Sequence, residues 1–106
     1  DIMSVDNLQV IDFISEKDGR IVLTTSEHLE WDDKYEHIYL LQEKINAYLT
    51  AIETGQIEKK YPSSKGRQIA ISVALKYKPN DMGMSFLSRV NDFLLNAGYE
   101  FEYYTL

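Results

Sequence analysis

The sequence predicts an α+β domain of two layers in the order ββαβαβ, with one four-stranded mixed sheet and both helices on one of its faces. Three observations carry that prediction. Asp18-Gly19 sits between two β-rich runs and suits the two positive-φ positions of a type I′ hairpin turn. Residues 68–77 alternate apolar and small or polar side chains with a period of two, the mark of a strand with one face on a core. Between these strands, Tyr35, Ile38, Leu41, Ile45, Leu49 and Ile52 fall on one face of an amphipathic helix.

Asp1 to Asn7 carries no pattern and is expected to be a loose lead-in to a single domain spanning residues 1–106. Gln9 to Glu16 reads as the first strand and Arg20 to Thr25 as its hairpin partner. Ser26 to Asp33 is a polar connection carrying Trp31. Asp32 or Asp33 is positioned to cap the long helix, and Glu36 adds negative charge to its first turn. From Asp32 to Thr54 that helix extends about 34 Å, long enough to lie along a small sheet. Gly55 is its natural stop, and a loop through Tyr61-Pro62 and Ser63-Ser64-Lys65-Gly66 should follow.

In the strand Gln68 to Tyr77, Ile69, Ile71, Val73, Leu75 and Tyr77 are expected inward. Its other face holds only Gln68, Ala70, Ser72, Ala74 and Lys76. Asn80 or Asp81 opens the second helix, whose stripe is Gly83, Phe86, Leu87, Val90, Leu94 and Ala97, and Gly98 ends it. Gly83 in a first turn costs about 1 kcal/mol against alanine, so close packing is its expected reason. Tyr99 to Tyr104 is the last strand, with Tyr99, Phe101 and Tyr103 inward.

A chain of 106 residues buries about 65% of its unfolded surface without staples. With no cysteine, neither a disulfide framework nor a thiolate metal site is available. No apolar run approaches the roughly 18 residues of a membrane span, so no membrane partner is expected. The net charge of −6 disfavours nucleic acid. It is unevenly spread, with acids concentrated over 27–36 and bases over 59–78. Two solvated faces, pairing across the fold or between subunits, explain this most simply.

Several motifs resemble those of a family of short bacterial proteins catalogued only as a domain of unknown function. They are V-I-D-F-I-S, then W-D-x4-H-x3-L-Q-E-K-I-N-A-Y-L-x2-I-E-x-G, then Y-P-x3-G and K-Y-x-P. The similarity runs from about Val10 to Tyr103 and is most specific over Leu41 to Leu49. It implies a bacterial, cytoplasmic protein and brings no catalytic residues with it.

The remaining candidates are weak as chemistry. His28 and His37 flank the acidic cluster and, with Glu36, are the candidates for a metal or acid–base site of a small metal-dependent hydrolase. Their spacing matches no ligand motif, and surface histidines near a helix start are the simpler account. Lys65 and Arg67 are anion candidates, within a basic 59–78 segment that would serve an anion or nucleic-acid binder. They precede a strand, however, whereas phosphate loops precede a helix. Of the eight tyrosines, most fall on inward faces or at element ends, where packing accounts for them.

On the polar side of the long helix, Leu40, Ala47 and Ala51 lie within about 40° of one another, with Lys44 at the edge. They suggest a second contact seam for the same helix of another subunit. The sequence therefore points first to a non-catalytic, self-associating protein-interaction module. It is expected as a homodimer, open to an unidentified protein partner and needing no cofactor. An inhibitor that caps a basic partner is a further reading of the acidity.

Overall fold

The computed structural model describes residues 13–31 and 36–106. The expected lead-in, the first residues of the first strand and the Asp32/Asp33 cap lie outside the described residues. The elements are β1 (Phe13–Lys17), β2 (Arg20–Glu27), α1 (Glu36–Glu53), α2 (Gln56–Lys60), β3 (Ile69–Leu75), α3 (Asp81–Asn96) and β4 (Glu100–Thr105). A single 3-10 turn, Pro62–Ser64, leads toward β3.

The hairpin forms as its turn dipeptide dictates. Asp18 (φ 54°) and Gly19 (φ 80°) both take left-handed backbone, and Lys17 pairs with Arg20 across the two-residue loop. The sheet order is β1-β2-β3-β4, with β1 antiparallel to β2 and the other pairs parallel. Two right-handed crossovers that step the same way across a sheet must put their helices on the same face. Accordingly Ile21, Leu23, Ile71, Val73 and Leu75 share one core with Leu41, Ile45 and Leu49 of α1 and with Phe86, Leu87 and Leu94 of α3. The result is a mixed four-stranded sheet under two long helices. The third, α2, replaces part of the expected loop: Gly55 turns the chain at φ 80°, and Ile57 then reaches the core at 1% exposure.

The opposite sheet face departs from the expectation of an open surface. Val22, Thr24, Ala70, Ser72 and Ala74 are all buried. The small β3 side chains let Arg20 reach across from β2 to β4, where its Nη1 lies 2.6 Å from Glu100 Oε1 and 3.7 Å from Glu102 Oε1. The hydrogen bond to Glu100, with the nearby carboxylates, raises the Arg20 guanidinium above its already high ordinary pKa.

α1 is rolled relative to the stripe read from sequence. Its buried residues are His37, Ile38, Leu41, Ile45, Tyr48, Leu49 and Ala51. At 100° per residue they span an arc of about 160° centred near Leu41, roughly 50° round from the Tyr35–Ile52 stripe. Ala51, with no bulk to hold the helix off, allows that face to settle into the core.

α3 starts where the cap was expected. The Asn80 side chain accepts from the Gly83 N–H at 2.8 Å. Gly83 is required by space rather than by backbone conformation, because a Cβ there would stand 2.6 Å from the Trp31 ring. Trp31 in turn donates its indole N–H to the Tyr77 carbonyl at 3.1 Å, tying the β2–α1 connection to the start of α3. Tyr77 and Tyr103, both expected inward, are each 37% exposed, and Ala97 is exposed at the end of its helix. Tyr77 lies beyond the end of β3, while Tyr103 stands on an edge strand near its last residues.

Candidate functional site

β2 ends in a charged residue that faces inward. Glu27 follows Ile21, Leu23 and Thr25 on the helix-facing side, and pairing with Leu75 carries the strand two residues past its expected end. α1 crosses above with His37 and Lys44 on one side. Lys44 Nζ stands 3.0 Å from Glu27 Oε2, and His37 Nε2 stands 3.8 Å from Oε1. The Trp31 ring lies on His37 with centroids 4.0 Å apart. Glu27 and His37 are 4% and 2% exposed, whereas the Lys44 side chain retains 31%. A carboxylate buried this deeply needs a cation beside it, and Lys44 supplies one while its end stays wet. The arrangement clamps α1 onto the end of β2. A substrate would have to displace Trp31 or α1 to touch either buried group.

Each residue singled out from sequence can now be placed. His37 is buried rather than on the surface, because it is in phase with Leu41 and Tyr48 on the rolled face of α1. His28 and Glu36 are exposed, and among the described residues no group of three or more His, Asp or Glu is placed to hold a metal. The Leu40–Ala47–Ala51 seam divides: Ala51 is fully buried in this chain's own core, Ala47 is half-buried and Leu40 is 40% exposed. Ala51 therefore has no surface left to offer another subunit. Lys44 turns inward to Glu27. Lys65 is exposed beside the 3-10 turn, and Arg67 pairs with Glu16, whose other oxygen accepts from the Tyr61 hydroxyl at 3.4 Å. Among the described residues no ion pair joins the acidic 27–36 segment to the basic 59–78 one.

Sequence reasoning missed the Glu27–Lys44 pair and the Trp31 clasp. The available signal was a carboxylate at the inward phase of β2, two residues beyond Thr25.

The surface on the same face toward β4 is of another kind. A groove of about 320 Å³ separates α1 from α3, floored by Ile38, Ile45 and Phe86 and rimmed by Arg89 and Phe93. A second, of about 440 Å³, runs beside β4, between Met84, Leu87 and Asn91 of α3 and Phe101 and Tyr103. β4 is the last strand of the sheet, and among the described residues nothing pairs with its outer side. The Leu106 N–H donates to the Leu75 carbonyl at 2.8 Å. In a parallel ladder this fixes the alternation: residues 100, 102 and 104 turn their backbone groups to β3, and 101, 103 and 105 turn theirs outward.

A family described only as being of unknown function (DUF6572) matches residues 3–106. The chain belongs to that family. The DUF6572 match takes in every element described above and extends past both ends of the similarity read from the sequence motifs. No curated protein and no solved structure matches the chain. What the DUF6572 fold does here has to be read from its geometry, in which charge is withdrawn at the β2 end and apolar surface is left out at the β4 end. No helix among the described residues is long and apolar enough to cross a membrane.

Proposed function

We propose that this DUF6572 protein is a non-catalytic, self-associating interaction module of the bacterial cytoplasm, and that it assembles through its β4 side. The observation that carries the reading is the outer edge of β4, which pairs with nothing among the described residues. Exposed edge strands are ordinarily blunted by charged side chains, lysine above all, or by proline or a bulge, because they template further pairing. β4 and the residue after it read Glu-Phe-Glu-Tyr-Tyr-Thr-Leu, without lysine or proline; the two charges, Glu100 and Glu102, are paired with Arg20, and Tyr103, Tyr104 and Leu106 are exposed. The adjoining α3 adds exposed Met84 and Leu95. Of the groups that would suit a catalytic role, Glu27 and Lys44, and Glu16 and Arg67, are committed to structural pairs. A cysteine-free chain fits a reducing compartment.

Light scattering across a concentration series tests this. The protein should reach dimer mass by about 100 µM, the regime of a modest interface. Tyr103→Lys should return it to monomer mass with unchanged far-UV circular dichroism, and Leu40→Lys should leave the dimer intact. A wild-type monomer throughout that series would overturn the reading.

A further inference from the structure

We infer that the occupant of the β4 edge is the β4 of a second copy, paired antiparallel about a two-fold axis at Tyr103, so that two four-stranded sheets become one of eight strands. This inference rests on the self-association reading and specifies its geometry. A two-fold axis perpendicular to a sheet keeps the helices of both copies on the same side and opposes each residue to one of the same phase. The axis must then pass through a residue, which leaves Glu102, Tyr103 or Tyr104 near the middle of the strand.

The side chains choose among these. An axis at Glu102 sets Glu102 against the partner's Glu102 in a closely spaced pair, and like charges directly opposed are destabilising. An axis at Tyr104 pairs Tyr103 with the partner's Thr105 but sets Phe101 opposite no residue of the partner's β4, whose last is Thr105. An axis at Tyr103 engages Phe101, Tyr103 and Thr105 together. It opposes Phe101 to the partner's Thr105 and Tyr103 to the partner's Tyr103, each exchanging backbone hydrogen bonds. On the other face Glu102 meets the partner's Tyr104, whose hydroxyl can donate to the carboxylate, and Glu100 meets the partner's Leu106.

The helix side supports the same register. The partner's Tyr103 and Thr105 arrive next to the groove of about 440 Å³ that α3 leaves beside β4. Met84 lines that groove at 47% exposure, and the Tyr103 hydroxyl already lies 3.6 Å from its sulfur. Aromatic and thioether surface therefore closes over the joined strands. Strand pairing alone falls short of the about 1,200–2,000 Å² of a stable interface, so these side chains must supply the rest.

The absence of native cysteine makes a clean test. Glu102→Cys and Tyr104→Cys are prepared separately, oxidised alone and then as a mixture. With the axis at Tyr103 the mixture should cross-link at least about tenfold faster than either variant alone, because opposed Cβ atoms approach disulfide distance and diagonal ones do not. Rapid cross-linking of Glu102→Cys alone or Tyr104→Cys alone moves the axis to that residue, overturning the register while self-association stands. A dimer in which no combination cross-links overturns β4 pairing altogether, and a monomer removes both readings. Amide exchange on the wild type needs no variant. The N–H groups of Phe101, Tyr103 and Thr105 should slow at least about tenfold from dilute to concentrated protein, while those of Glu102 and Tyr104 do not change. Concentration-independent exchange at all five would overturn the inference.

Discussion

The β2 and β4 sides of this sheet treat water in opposite ways. Over β2, α1 covers so completely that a carboxylate and an imidazole are buried, Glu27 at 4% and His37 at 2% exposure. Over β4, α3 leaves large apolar side chains in solvent, Leu95 at 55% and Met84 at 47%, and Leu106, the residue after the strand, is 73% exposed. Burial of charge is costly and exposure of carbon forgoes stabilisation, so neither end is what a minimal core would choose. The contrast teaches that the sheet is finished over β2 and, among the described residues, unfinished along β4. A second copy at β4 would finish it.

The largest effect should come from the finished end. Leu41 is fully buried at the centre of the α1 face, so Leu41→Ala should cost about 2–5 kcal/mol in chemical denaturation. A loss under about 1 kcal/mol would mean that α1 is not clamped there, and the contrast between the two ends would break.

The charge pair should come next. Lys44→Met leaves Glu27 without its nearest cation and should cost about 3 kcal/mol, the low end for a broken buried pair because Lys44 is partly exposed. Glu27→Gln combined with Lys44→Met should recover most of that loss, since no uncompensated charge remains. Equal losses in the single and double variants would show that the pair contributes only packing.

How much of this could be read from the chain differs between the same two ends. Local chemistry was legible: the Asp18-Gly19 turn, the Asn80 cap and the alternation of Ile69, Ile71, Val73 and Leu75 all act within a few residues. The roll of α1 was not, because apolarity alone defines a stripe from Tyr35 to Ile52 and cannot show that Glu27 lies under the helix beside His37 and paired with Lys44. That placement is set by strand register, a non-local quantity. The Leu40–Ala47–Ala51 seam misled for the same reason, since an alanine serves equally well on a surface or against a sheet. Tyr103 was placed inward by its phase, which is right for the helix side of β4, but phase does not say that β4 is the edge.

The smallest effect should appear at the unfinished end, within one helix turn. Phe93 and Leu94 are adjacent in α3, yet Leu94 is fully buried and Phe93 is 57% exposed on the rim of the groove facing α1. Burying a whole phenylalanine side chain is worth about 1.5–3 kcal/mol, so the part of Phe93 withdrawn from water is worth about 1 kcal/mol or less. Phe93→Ser should therefore shift the denaturation midpoint only slightly, whereas Leu94→Ala should cost about 2–5 kcal/mol. Phe93 also stands on the α1 side of α3, away from the groove beside β4. Its replacement should leave the dimer mass in light scattering unchanged, while Tyr103→Lys abolishes it. If Phe93→Ser dissolves the dimer instead, the copies meet over the groove between the helices rather than along the strand edge.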